Sequence, residues 1–255
     1  MCTVTLLRRP SSSWPLVIAA NRDEMQDRPW RPPARHWSDR PDVVGGLDQL
    51  AGGSWLAIND YGVVAAMLNR KGTLGPQEGK RSRGELVLDA LDHADAAEAA
   101  AMLAQLDGRS YRPFNMVIAD NRDAFWLSHP GDANGRLQLN PLPEGVSILT
   151  AYDVNDTQDP RIASFLPRFQ ALAAPTGDLS SDAAWYEWED LLTKGGGSCS
   201  SDPHDGLCFM TPLGFGTSSS SLIALPSIDG ALEQPPVWRF CSNPRNDAVF
   251  RTISL

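Results

Sequence analysis

MCTVTLLR (residues 1–8) and LVIAANRDEM (residues 16–25) are the two stretches whose reading decides the fold. From Cys2 to Arg8 small polar and apolar residues alternate, the period of a strand with one face against a core. Leu16 to Ala20 is a short apolar run, and RRPSSSWP between them has the proline and serine content of a hairpin loop. The pair predicts an antiparallel hairpin with Asn21-Arg22-Asp23-Glu24 emerging beside Cys2.

Working outward, further strands are predicted at 55–58 and 63–68, flanking the turn Asn59-Asp60-Tyr61-Gly62. Others fall at 114–119 and 124–127, flanking Asp120-Asn121-Arg122-Asp123, and at 146–151 and 221–225. Helices are expected over 83–93 with Ser82 as N-cap, over 95–106, over 160–172 with Pro160 in the first turn, and over 182–193. Short strands in hairpins with helices in pairs indicate an α+β protein with antiparallel sheets, and residues 1–255 are read as a single domain.

The composition bounds the function. Of 255 residues 42% are hydrophobic and 21% charged, with 22 basic against 31 acidic side chains and a net charge of −9. A chain this acidic is a poor general binder of nucleic acid. No stretch approaches the about 18 apolar residues of a membrane span. Four cysteines (Cys2, Cys199, Cys208, Cys241) are too few for a disulfide framework, so reduced thiols and a cytoplasmic setting are expected.

Cys2 carries the chemistry. Once the initiator methionine is removed, one residue holds both a thiol (ordinary pKa about 8.5) and an α-amine (about 7.7–8.0) able to take the thiol's proton. The alternative is a small buried residue starting a strand. Arg22 could favour the thiolate or hold a substrate carboxylate, and Asp23 could orient the α-ammonium. The alternative is a charged turn leaving a strand, and Asn121-Arg122-Asp123 repeats three of the four letters in what reads as a plain hairpin turn. Asn69, after the strand at 63–68, could donate to an oxyanion or simply begin a turn. AGGSWL (residues 51–56) permits close backbone approach or a bulge. The 195–208 segment holds Cys199, His204 and Cys208 with Asp202 and Asp205, but lacks the close ligand pairs of a zinc site and is read as a mobile loop. No metal and no cofactor is expected. TSSSSL (residues 217–222) could provide hydroxyls near a site but is read first as a polar loop entering a strand, and Trp30 and Trp37, in a Pro- and Arg-rich loop, are read as packing residues that could also line an apolar ligand groove.

Met1-Cys2, NRDE at 21–24, AGGSWLAIN at 51–59, GVVAAMLNR at 62–70 and FGTSSS at 215–220 together resemble the NRDE family, also called the transport-and-Golgi-organisation family. The resemblance implies an N-terminal-nucleophile hydrolase fold, a four-layer αββα sandwich with two stacked antiparallel sheets. The start and GVVAAMLN are also similar to the choloylglycine and penicillin-V amidases, which implies catalytic roles for Cys2, Arg22, Asp23 and Asn69. Asn21, Glu24, Trp55, Asp153 and Thr217 are then candidate substrate contacts. Two positions depart from the amidase pattern. No asparagine follows Leu149-Thr150 directly, and Ser218 stands where those enzymes often carry arginine; Asp153, Asn155 or Thr217 are the candidates to compensate. The implied activity is cleavage of a small-molecule amide or thioester through an acyl-Cys2 intermediate. The resemblance also implies an alternative, haem or acyl-CoA binding and trafficking without cleavage.

Overall fold

A computed structural model describes residues 2–179, 181–195, 206–229, 234–246 and 248–255. Cys199, His204, Asp202 and Asp205, and with them most of the 195–208 loop, lie outside the described residues. The chain divides into two compact units, one made of residues 1–28 and 144–255, the other of residues 29–143.

The first unit is a six-stranded sheet. Its strands are β1 (Thr3–Arg8), β2 (Leu16–Met25), β10 (Gly145–Leu149), β11 (Phe215–Leu225), β12 (Val237–Cys241) and β13 (Arg251–Thr252), in the order β10-β1-β2-β11-β12-β13. Every pairing is antiparallel. The expected hairpin is present, with Thr3 opposite Asn21 and Arg8 opposite Leu16. Two helices, α3 (Pro160–Ala171) and α4 (Tyr186–Thr193), cover one face. Their Ile162, Phe165, Phe169, Trp188 and Leu191 pack with Leu7, Val17, Ala19, Leu222 and Ala224 of the sheet. Trp185 and Trp188 are fully buried. A tryptophan buries about 150–250 Å², so each adds roughly 4–6 kcal/mol of gross transfer free energy before conformational entropy is subtracted.

The second unit is a seven-stranded meander: β3 (Trp30–Ala34), β4 (Val43–Asp48), β5 (Leu56–Asn59), β6 (Val64–Asn69), β7 (Phe114–Ala119), β8 (Ala124–His129) and β9 (Gln138–Pro141), in chain order across the sheet. Helices α1 (Gly84–Ala90) and α2 (Ala96–Leu103) pack through Leu86, Val87, Ala99 and Leu103 on Ala57, Ala65, Met116 and Ile118. Asp95 is the N-cap of α2, its side chain accepting from the N–H groups of Ala97 and Glu98. Ser82 accepts from Gly84 N–H one residue before the N-cap position, which Arg83 occupies.

Gly53 shows what AGGSWL is for. A Cβ there would lie 2.4 Å from the carbonyl carbon of Gly84, so the glycine lets the β4–β5 connection run against the first residue of α1. Ser54 N–H donates to the Gly84 carbonyl at 3.0 Å across this contact.

Four expectations are corrected. Asn21 to Glu24 do not emerge beyond the strand but continue β2, paired with β11 as far as Met25 opposite Phe215. The serine run is not a loop; Ser218 to Ser221 lie inside β11. Trp30 starts a strand rather than lying in a loop, and the two prolines that hid it sit on β3, the sheet edge where a missing N–H is tolerated. Finally, Cys208 is disulfide-bonded, so the thiols are not all reduced; Cys2 and Cys241 are outside disulfides.

Candidate functional site

The hairpin brings Cys2 against the end of β2. The Asp23 N–H donates to Cys2 Sγ at 3.4 Å, and the thiol donates back to the Asp23 carbonyl at 3.6 Å. Burial pushes the thiol's pKa up, and the Asp23 carboxylate pushes it further; the bond from the Asp23 N–H and the charge of Arg22 pull the other way without cancelling the rise.

Side chains along β2 alternate between the sheet's faces. Asp23 is almost fully buried, and both of its oxygens are engaged. Thr217 Oγ1 donates to Oδ1 at 2.8 Å, and Arg161 donates to Oδ2 at 3.0 Å. The same Arg161 nitrogen reaches Thr3 Oγ1 at 2.8 Å, and its guanidinium lies 5.0 Å from the centre of the Phe209 ring. Thr217 also donates to the Leu207 carbonyl at 3.2 Å.

Arg22, also buried, has a different set of partners. It donates to Ser218 Oγ at 3.1 Å, the Ser218 hydroxyl donates back to the Arg22 carbonyl at 3.1 Å, and Glu24 approaches at 4.0 Å. A register shift in the β2–β11 pairing falls between Thr217 and Ser219, and Ser218 occupies that irregularity. Glu24 faces Arg28 at 3.8 Å and accepts from Met25 N–H at 2.9 Å.

Asn21 ties the sheet to α4. Its amide donates to the carbonyls of Leu192 and Leu207 at 2.9 and 2.8 Å, and its oxygen accepts from Ser220. Near β10, Asn155 takes a left-handed backbone (φ 57°) and accepts from Ile148 N–H at 2.8 Å. Asp153 is exposed in the same loop.

Cys2, Asn21, Arg22, Asp23, Glu24 and Thr217 therefore meet in the first unit. Asn69 and Trp55 belong to the second. There Asn69 ends β6 opposite Phe114, half-buried, and its neighbour Arg70 donates to Asn115 at 2.8 Å. The Trp55 ring occupies the space a Cβ at Gly46 would need and meets Trp30 edge-on at 5.6 Å. Among the described residues no group of three or more His, Cys, Asp or Glu is placed to hold a metal, and no helix is long and apolar enough to cross a membrane.

The sequence reading missed Arg161. One signal was present: Asp159-Pro160-Arg161 opens a helix, and a cation in a first turn opposes the helix dipole. A buried arginine in that position requires a carboxylate, and Asp23 supplies it.

The fold is that of the N-terminal-nucleophile hydrolases. The Caenorhabditis elegans N-acylethanolamine-hydrolyzing acid amidase ortholog superposes with a TM-score of 0.56 at 15% identity, covering 87% of this chain and 92% of that one. Conjugated bile acid hydrolase of Clostridium perfringens, in a mutant form, gives 0.51 at 12% identity over 100% of this chain and 92% of its own. Penicillin V acylase from Agrobacterium tumefaciens gives 0.50 at 14%, over 94% and 83%. The profile of the Transport and Golgi organisation 2 family matches residues 1–194, and the chain belongs to that family. Its curated relatives include the Transport and Golgi organization protein 2 homologs of Bos taurus and Homo sapiens, 36% and 35% identical over 119 residues. Each alignment spans 44% of this chain and 42% of the relative.

Proposed function

We propose that the protein is an N-terminal-cysteine hydrolase acting on an amide, or a thioester, of a small molecule. The observation that supports it best is the clasp of Cys2 Sγ by the Asp23 backbone, with Arg22 and Asp23 fixed beside it on a fold shared with amidases. After removal of Met1, the α-amine of Cys2 takes the thiol proton. The sulfur then attacks the carbonyl carbon, and the oxygen becomes an oxyanion. Collapse of that intermediate breaks the C–N bond, and the leaving amine departs with the proton from the α-ammonium. Water then attacks acyl-Cys2, releasing the acid and regenerating the thiol. In this reading residues 1–255 work as one domain, Asn69 is the oxyanion donor, and Asn21, Glu24, Trp55, Asp153 and Thr217 act as substrate contacts or their supports.

A second reading rests on the buried setting of Cys2, whose Sγ is already engaged with the Asp23 backbone and whose thiol pKa burial pushes up. A chain that keeps Met1 has no free amine on Cys2 and a thiol poorly disposed to ionise, and would hold haem or an acyl-CoA without cutting it.

Intact mass of protein from a normal cellular host, followed by turnover of a panel of N-acyl amides, tests both. Loss of Met1, with hydrolysis abolished in Cys2→Ala, supports the hydrolase. Unchanged hydrolysis in Cys2→Ala refutes it. Retained Met1 with saturable binding of haem or acyl-CoA gives the second reading the field.

A further inference from the structure

Arg161 is a buried cation that the proposed chemistry does not yet use. It stands in the first turn of α3, where Asp159 accepts its own backbone N–H at 2.9 Å, and its side chain crosses to the sheet to bind both Asp23 and Thr3. Thr3 directly follows Cys2. One guanidinium therefore touches the residue after the nucleophile and the residue whose backbone holds the thiol.

Arg22 and Glu24 lie on β2 itself, Arg161 and Asp159 come from α3, and β11 contributes hydroxyls and no charge. Arg245 Nε donates to the Thr217 carbonyl at 2.9 Å. Without Arg161, the buried Asp23 carboxylate would face Cys2 with no ion-pair partner from α3. A bare carboxylate beside an amine holds it as an ammonium, and an ammonium cannot accept the thiol's proton.

We propose that Arg161 is a positioning residue for Cys2: it balances Asp23 and anchors Thr3, leaving the α-amine of Cys2 free to act as the base. The inference rests on the reading of Cys2 as a nucleophile with a free amine. An opposing charge within about 4–6 Å moves a titration by about 1–3 units. Acting through Asp23, Arg161 is expected to lower the midpoint of Cys2 ionisation by about one unit, roughly tenfold in thiolate at neutral pH.

The test is the pH profile of Cys2 alkylation by iodoacetamide on Met1-free protein, read by mass spectrometry of the N-terminal peptide. The buried thiol of Cys241 in the same sample reports folding, because it stays unmodified only while the sheet is intact. Arg161→Gln should raise the midpoint by about one unit while Arg161→Lys keeps it near wild type. A folded Arg161→Gln with the wild-type midpoint overturns the proposal. Should Arg161→Gln expose Cys241, the comparison passes to Asp23→Asn with and without Arg161→Gln, which leaves no bare carboxylate. Because Arg161 acts through Asp23, the double variant should titrate with the single one, and a midpoint about one unit above it overturns the proposal. The readout needs no substrate. Absent Cys2-dependent turnover with the shift intact counts against the hydrolase reading, whereas Cys2-dependent turnover with no shift counts against Arg161.

Discussion

Replacing Asn21 by alanine separates a structural role for the NRDE segment from a ligand-binding one. The Asn21 side chain makes three buried hydrogen bonds, to the Leu192 and Leu207 carbonyls and from the Ser220 hydroxyl. Leu192 lies in the last turn of α4, where carbonyls have no partner within the helix. Asn21 is thus both a strand residue and the clamp on a helix end. Each bond has a net worth of about 0.5–1.5 kcal/mol, so the three together amount to about 1.5–4.5 kcal/mol. At a central value of about 3 kcal/mol, and roughly 2–4 °C per kcal/mol in a chain of this size, Asn21→Ala should lower the Tm by about 6–12 °C. Asn21→Asp should do at least as badly, since a buried carboxylate cannot donate to either carbonyl. Calorimetry on wild type and both variants measures this, alongside alkylation of Cys2 at 15 °C, where the variants remain folded and the thiol should react at the wild-type rate. A Tm within about 2 °C of wild type would refute the reasoning. If ligand affinity then fell in Asn21→Ala, the amide would belong to the ligand after all.

Two further outcomes are expected. Gly53→Ala places a methyl against the Gly84 backbone, where neither chain segment can yield cheaply, and should cost about 1–3 kcal/mol, read as a lower urea midpoint at unchanged slope. With Met1 attached, the Cys2 thiol is pushed up, so the folded state favours its protonated form. The stability from this is present below the ordinary thiol pKa and lost as pH rises through the higher folded value. Wild type should therefore lose more stability than Cys2→Ser across that alkaline window, and equal losses in denaturant titrations would count against the assignment.

What was legible in the sequence was whatever depends on neighbours in the chain. β1 shows in its alternation, β6 and β7 as apolar runs beside turn sequences, and the turn at 120–123 in its Asp120, which accepts from the N–H groups of Arg122 and Asp123. The same three letters at 21–23 mislead because their partners are distant. Asn21, Arg22 and Asp23 read as a charged turn until Leu192, Ser218, Arg161 and Thr217 satisfy them inside a strand. The first half of β11, before the strand read at 221–225, was hidden for a related reason: four consecutive serines carry no hydrophobic signal, yet their hydroxyls have buried roles against β2. Motif order across the chain identified the family where periodicity alone stopped at an α+β class. No local pattern links Arg161 to Asp23, which is 138 positions earlier.

The pairing of β2 with β11 also sets a timetable for synthesis. Asp23 and Thr217 are 194 residues apart, and at about 5–20 residues per second a ribosome needs roughly 10–40 s to make the second after the first. During that interval the β1–β2 hairpin waits with the β11 edge of β2 bare, an invitation to any other unpaired strand. Residues 29–143 emerge whole in the meantime and can close their own meander. The nascent hairpin is therefore where a chaperone would be needed most, and the Cys2 thiol is open to reagents and processing enzymes before β11 joins β2.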